Sequence, residues 1–344
     1  MNGKRKNSRR RLRKWKDVDA SVRLQECAFS FLLSRCLTLA FARGIVRLIS
    51  DQAKPAEQIA SELGLNSLAV ARLLGVLAAF ELVMKSSAGY RIHSRFRAVC
   101  GAENEAFVGP VLAHIHALYE SWGTQLERWL CDGTVDEDAF VVENEMEHAR
   151  ALRAASMTVA SALASQVDLS KCSHLVDVGS SAGHYSIALC KRFAALRSTL
   201  IDLDQNALKL ARETVVNDGL ENRISTLEGD YFDELRRVGA CDVVLLAGTI
   251  SQEVPAKAKE LLRLSYDVLD KGGMLLAVES ILLKNPTVSR FNAFLALHLR
   301  NFGALYTMSE IEEMIRAAGF TISSRHPLGT ARVGVVASKR RAVR

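Results

Sequence analysis

From His174 to the end of the chain, short apolar runs alternate with amphipathic segments of helical period, and this alternation limits the fold more than any other feature. The runs are 174–178 (HLVDV), 198–202 (STLID), 223–227 (RISTL), 242–247 (DVVLLA), 274–280 (MLLAVES), 321–325 (TISSR) and 331–338 (ARVGVVAS). Between them lie helical patterns near 185–193, 205–217, 256–269 and 308–318, with a helical insert at 289–301. Strands that are apolar on both faces need cover on both faces, so the pattern predicts an α/β fold with a mostly parallel sheet between helical layers. The last two strands are joined by only 326–330 and are expected to pair antiparallel.

The preceding half has a different rhythm. Residues 20–49 have apolar positions at helical spacing, followed by a short helix from Pro55 that stops at Gly64. Asn66 or Ser67 is placed to cap the next helix, 68–80, and two short strands at 82–84 and 90–93 flank a Ser-Ser-Ala-Gly turn. Helix, helix and two-stranded wing form a winged-helix pattern over 17–100. Residues 101–170 read as helical, with long amphipathic segments at 108–129 and 146–167 and an acidic loop at 133–145.

The net charge of +7 tempts a nucleic-acid reading, but its distribution argues against one. Residues 1–16 hold nine bases and no acid, and 339–344 add four more. Without those thirteen, the remaining 32 bases face 38 acids, so 17–338 carries −6 and both ends read as basic tails. The expected recognition helix, 68–80, has Arg72 as its single cation, so a DNA-binding regulator is only a remote alternative. Seven scattered cysteines with no C-x-x-C suggest buried thiols in a reduced, cytoplasmic protein. The apolar stretch 27–49 is interrupted by Arg35, Arg43 and Arg47, and no cleavage-site pattern follows the basic start, so neither a membrane span nor a secretory signal is expected.

The sharpest local signal is Val176-Asp177-Val178-Gly179-Ser180-Ser181-Ala182-Gly183-His184, a small-residue turn leaving a strand and entering a helix. Such a turn lets a ligand approach the backbone at the carboxyl end of a parallel strand. A dinucleotide fingerprint would need glycine where Ser181 and His184 stand, so the nicotinamide reading fails twice. Asp202 ends the second strand, where a carboxylate can accept ribose hydroxyls. Gly229-Asp230-Tyr231-Phe232 follows the third, where an acid can meet an adenine amino group beside a ring.

The turn, with Ser181 in place of its middle glycine, resembles motif I of class I S-adenosylmethionine (SAM) methyltransferases. With Asp202, Asp230 and Tyr231, the chain is similar from about residue 20 to 338 to the cation-independent two-domain small-molecule O-methyltransferases, which include plant phenolic and acetylserotonin O-methyltransferases and bacterial natural-product enzymes. The resemblance implies a Rossmann-like seven-stranded SAM-binding sheet over 171–338 and a winged-helix dimerisation domain over 17–100. It implies a helical linker over 101–170 that walls the acceptor pocket, with Trp122 on a helix there. It further implies a homodimer acting on a small-molecule acceptor in specialised metabolism, with no nucleic-acid or membrane partner. Asp177, Gly179, Ser181 and Gly183 would line the methionine end of the cofactor, Asp202 the ribose, and Asp230 and Tyr231 the adenine.

The chain departs from the family at its catalytic centre. Ser251 falls on the position of the family's His base, and Leu305 falls on one of two supporting glutamates, whereas Glu279 keeps the other. A serine hydroxyl is no base at neutral pH. A base is worth about 10²–10⁴-fold, whereas alignment of the reactants is worth up to about 7–11 kcal/mol. Three readings stay open: an acceptor already nucleophilic at O, N, S or an activated carbon; a replacement base, with Glu279 best placed and His298 a further candidate; or SAM binding with non-methylating chemistry or a non-catalytic role. His114 and His116 are two apart on a helix and face apart, and no metal site is expected.

Overall fold

The computed structural model describes residues 20–101, 108–109, 111–113, 115, 126–127, 130–131, 145–282, 304–329 and 332–339. It divides into two compact units, Met1–Gly101 and Ala102–Arg344. Trp122, His114, His116, His298, the insert at 289–301, the loop at 133–144 and the tail at 1–16 lie outside the described residues.

In the first unit, the stretch 20–49 with its helical spacing forms two helices, α1 (Ala20–Ala42) and α2 (Ile45–Ile49). Gly44 sits between them with φ 75, a left-handed conformation that ends α1 and re-aims the chain. Next come α3 (Ala56–Leu63), capped at its end by Gly64, and α4 (Ser67–Ala79), whose cap is Asn66: its side chain accepts from the Ala69 amide at 3.0 Å. Strands β1 (Val83–Ser86) and β2 (Gly89–Ile92) form an antiparallel hairpin, followed by α5 (Arg97–Cys100). Ile45, Ile49, Ile59, Leu74, Leu77, Val83 and Ile92 are among the buried residues of this unit's core. By length and composition alone α1 is long and apolar enough to cross a membrane, which is weak evidence for a span and leaves the expectation of none untested. It exposes Val22, Leu24, Phe29, Phe31 and Leu32.

The second unit begins, among named elements, with α6 (Glu145–Gln166). The chain then alternates through β3 (His174–Val178), α7 (His184–Arg192), β4 (Arg197–Asp202), α8 (Gln205–Asn217), β5 (Ile224–Glu228), α9 (Tyr231–Arg237), β6 (Cys241–Ala247), α10 (Pro255–Val268) and β7 (Leu269–Ser280). It closes with α11 (Met308–Ala317), β8 (Phe320–Pro327) and β9 (Arg332–Lys339). The sheet order is β5-β4-β3-β6-β7-β9-β8. The first five strands run parallel, and β9 is antiparallel to both β7 and β8, as the short connection required. One face packs Leu175, Leu245, Leu276 and Val278 with α6, α7 and α8; the other packs Val176, Val244, Leu275 and Ala277 with α9, α10 and α11. Strand β3 is central, and the strand order runs outward from it in both directions, which opens a crevice at its carboxyl end.

Three details differ from the expectations. Helix α9 follows Asp230 directly, in a stretch too short for helical periodicity to reveal. Strand β9 runs through Lys339, assigned by charge to the basic tail; its ammonium donates to the Leu269 carbonyl at 2.6 Å. Of the seven cysteines, Cys100, Cys172, Cys190 and Cys241 are buried, but Cys27 and Cys131 are exposed. Burial pushes the thiols of Cys172 and Cys190 up to about 11 and that of Cys241 to about 12, leaving them inert.

Helix α7 can pack on β4 only if Gly183 stays bare. Its φ is 68, and an added Cβ would lie 2.6 Å from Leu200 Cδ1. Gly183→Ala is therefore expected to cost about 1–3 kcal/mol of stability. Urea unfolding checks this, and an unshifted midpoint contradicts it.

Candidate active site

Strand β3 delivers the chain to the crevice, where it folds back through Gly179–Gly183 into α7. The Gly179 and Ser180 amides both donate to the Ile201 carbonyl, at 2.9 and 3.0 Å, which pins the turn to β4. Ser181 takes φ 49, uncommon for a residue with a side chain, and its amide donates to Asp202 Oδ2 at 2.6 Å. The other carboxylate oxygen of Asp202 accepts from the Asp204 amide at 2.9 Å, and its carbonyl accepts from Gly229 at 3.0 Å. One residue thus ties together the loops after β3, β4 and β5. Each carboxylate oxygen keeps a further lone pair for a ligand hydroxyl. Burial raises the pKa of Asp202, and the amides of Asp204 and Ser181 oppose that rise.

Asp177 is 1% exposed and faces the protein interior. Its Oδ2 accepts from the Ser186 hydroxyl at 2.7 Å, and Ser186 accepts from Ser198 at 2.8 Å, a chain linking β3, α7 and β4. Burial pushes the Asp177 carboxyl up to about 7; Ser186 opposes this and the Asp202 charge reinforces it. Asp230 caps α9, its side chain accepting from the Phe232 amide at 2.8 Å. Tyr231 directs its hydroxyl to Glu253 on the β6–α10 loop, and its ring lies 5.0 Å from Phe232. Burial, then the Glu253 carboxylate, hold the Tyr231 phenol well above its ordinary value. Its hydroxyl therefore stays a donor.

Ser251 and Glu279 meet where β6 and β7 end. Ser251 is buried and donates to the Gly248 carbonyl at 3.3 Å. Glu279 is 2% exposed; its Oε1 accepts from the Ile250 amide at 2.9 Å, its Oε2 makes no hydrogen bond of good geometry, and the Ser251 hydroxyl and amide lie near the carboxylate. Burial pushes Glu279 up to about 7, while the Ser251 hydroxyl, the Ile250 and Ser251 amides and the charge of Arg332 pull it back. Among the described residues, none lies within 4 Å of where a Cβ on Gly248 would stand. Leu305 is buried and supplies no carboxylate.

Among the described residues, the buried side-chain N and O atoms without a hydrogen bond are Ser180 Oγ, Ser181 Oγ, both ring nitrogens of His184, Glu279 Oε2 and Tyr306 Oη. Three of these residues belong to the turn after β3 or the first residue of α7; the other two lie at the end of β7 and on the segment paired with it. An unmet buried polar group costs about 1–3 kcal/mol, so orphans gathered at one end of a sheet mark a place built for a ligand. Burial pushes His184 down to about 3, with the charges of Arg332 and Arg153 adding, so its ring is neutral. Ser186, Thr249, His184, Tyr306 and Arg332 were not singled out from the sequence. Thr249 donates to the Val178 carbonyl at 2.9 Å, and Arg332 reaches Ser156 at 3.1 Å. These contacts join residues 71 and 176 positions apart, and no spacing rule finds them.

The model of the O-methyltransferase domain family matches residues 136–321. Aclacinomycin 10-hydroxylase RdmB of Streptomyces purpurascens is 30% identical over 166 residues, 47% of this chain and 44% of RdmB. The 3-hydroxy-5-methyl-1-naphthoate 3-O-methyltransferase of Streptomyces sahachiroi is 30% identical over 166 residues, 48% of each chain. The chain thus spans about half the length of these curated relatives. Human N-acetylserotonin methyltransferase, solved in complex with SAM, superposes with a TM-score of 0.80 over 95% of this chain and all of its own, at 19% identity, a likeness of fold.

The raised pKa of Glu279 has a stability consequence. Its folded value lies above the ordinary 4.5, so the fold favours the neutral acid; that stability is fully present below 4.5 and lost as pH rises through about 7. Glu279→Gln, always neutral, is expected to be more stable than the parent at pH 8 by on the order of 1–3 kcal/mol and no different at pH 4. Urea unfolding at both values checks this, and a pH-independent difference contradicts it.

Proposed function

The chain belongs to the O-methyltransferase family, and on that premise we propose that it binds SAM at the turn after β3 and methylates a small-molecule acceptor. The observation that carries the reading is the gathering of unpartnered buried polar atoms around that turn and Glu279. The residues fit the cofactor. The hydroxyls of Ser180 and Ser181 await partners, and Asp202 keeps lone pairs for the ribose hydroxyls. Asp230 and Tyr231 stand at the adenine end, and Asp177 acts from below by fixing α7 through Ser186.

Bound SAM supplies an electrophilic methyl carbon on a sulfonium. The protein's own residues then have two tasks. The first is alignment, which needs no oxyanion stabilisation and is worth up to about 7–11 kcal/mol. The second is to take the proton that the acceptor releases. Ser251 lacks the basicity, whereas Glu279, poised at about 7 with Oε2 unpartnered, holds that proton near neutral pH. The exposed apolar side chains of α1 support a homodimer formed through the first unit, in keeping with a winged-helix dimerisation domain.

A second reading keeps the cofactor and drops the methyl transfer. Ser251, Leu305 and the relative named a 10-hydroxylase favour it. Protein supplied with methyl-labelled SAM and an extract of its own cells separates the two: label in a small-molecule product is expected, and SAM binding without labelled product sinks methylation. Asp202→Ala is expected to weaken S-adenosylhomocysteine binding at least about tenfold by calorimetry; unchanged affinity would remove Asp202 from the site.

A further inference from the structure

His184 has no task in the site described above. It opens α7, is 6% exposed, and neither of its ring nitrogens makes a hydrogen bond. It lines a cavity of about 420 Å³ between α6 and α7, a volume within the range of small-molecule pockets. Asp202, Ser251 and Glu279 are not among the walls, so the cavity is separate from the crevice. The trough exists because the residues that the two helices turn toward each other are small. Ala160 and Ala164 on α6 lie one turn apart, as do His184 and Ala188 on α7. Met157 and Ile187 complete an apolar floor.

The charge of the walls is uneven. Three bases, Arg153, Lys191 and Arg192, line the cavity with a single acid, Asp218. Lys191 is paired with Asp218 at 2.8 Å, and the charge of Arg192 acts on Asp168. Arg153 stands apart. It donates from Nη1 to the Thr214 hydroxyl at 3.1 Å, and among the described residues no carboxylate pairs with it. A guanidinium carries five N–H donors in a fork that matches a carboxylate, so one hydroxyl leaves donors over. Burial first, then the charges of Arg332 and Arg153, keep the His184 ring neutral, with one N–H to give. A buried N–H beside an arginine without a carboxylate calls for an anion. A cation would meet three bases, and a neutral ligand would leave the guanidinium uncompensated.

We propose that the cavity between α6 and α7 binds a small organic anion, with Arg153 and His184 holding its carboxylate and the alanine-lined trough taking its apolar body. The site goes beyond the methyltransferase reading and does not depend on it. His184 follows Gly183 directly, so the bound carboxylate lies one residue beyond the turn proposed for the cofactor.

Calorimetry on the full-length protein tests this without turnover. Excess S-adenosylhomocysteine is present throughout to keep the probes out of the cofactor turn. The probes are 2-naphthoate, the neutral 2-naphthylmethanol and inorganic phosphate. The parent is expected to bind 2-naphthoate one to one and at least about tenfold more tightly than either comparator. Arg153→Gln, its fold certified by a cooperative urea transition with the parent's slope, is expected to lose at least about tenfold in 2-naphthoate affinity. Nitrogen-labelled histidine gives a readout in the parent itself: the His184 ring signal, identified by its absence in His184→Phe, is expected to move as 2-naphthoate saturates. No binding of 2-naphthoate, binding of the alcohol or of phosphate as tight or tighter, undiminished affinity in Arg153→Gln, or a His184 signal that stays in place overturns the proposal.

Discussion

The structure of the site depends on Asp202. A carboxylate at the end of β4 accepts the Ser181 amide from the turn after β3 and the Asp204 amide from its own loop, while its carbonyl takes the Gly229 amide from the loop after β5. Charge-assisted bonds to backbone amides are among the stronger ones a protein makes. They hold Ser181 at φ 49 and set the direction in which α7 leaves the sheet. Three loops that meet at a switch point would otherwise be free to splay, and the crevice would lose its floor. On the proposed function the same residue engages the ribose, so one group would both build the site and hold its ligand.

On the proposed function, the two ends of the site stand differently to their family. The cofactor side is conventional, with a tied turn, an acidic residue after β4 and a capped helix after β5. By the resemblance read from the sequence, the acceptor side would carry Ser251 and Leu305 where the family has a histidine and a carboxylate, with buried Glu279 retained beside the serine. The size of the effects explains how such a chain can still transfer a methyl group. Alignment is the larger contribution, and it comes from the sheet and the tied loops, which are intact. Proton removal is the smaller one, and a glutamate pushed by burial towards neutrality can supply it.

Much of this was legible in the sequence, for physical reasons. Strands covered on both faces are apolar throughout, so the central strands of the large sheet announced themselves, and the small-residue turn after Val178 marked the crevice. Asp202 ends β4 and Glu279 lies at the end of β7, positions that the apolar pattern defined, whereas Ser251, on the loop after β6, was singled out only through the family resemblance. The legibility stopped where contact depends on tertiary approach. Ser186 under Asp177, Glu253 on Tyr231 and Tyr306 beside Ile281 join elements that no short spacing connects. Local charge also misled at Lys339, whose ammonium is tied to the Leu269 carbonyl inside the last strand.

A crystal structure of the protein with S-adenosylhomocysteine tests the central claim most directly. The account predicts the ribose hydroxyls on Asp202, the amino-acid end against Ser180 and Ser181, and the sulfur turned toward the side where Glu279 lies. A nucleoside bound away from Asp202, or a turn left empty at saturating ligand, would contradict it.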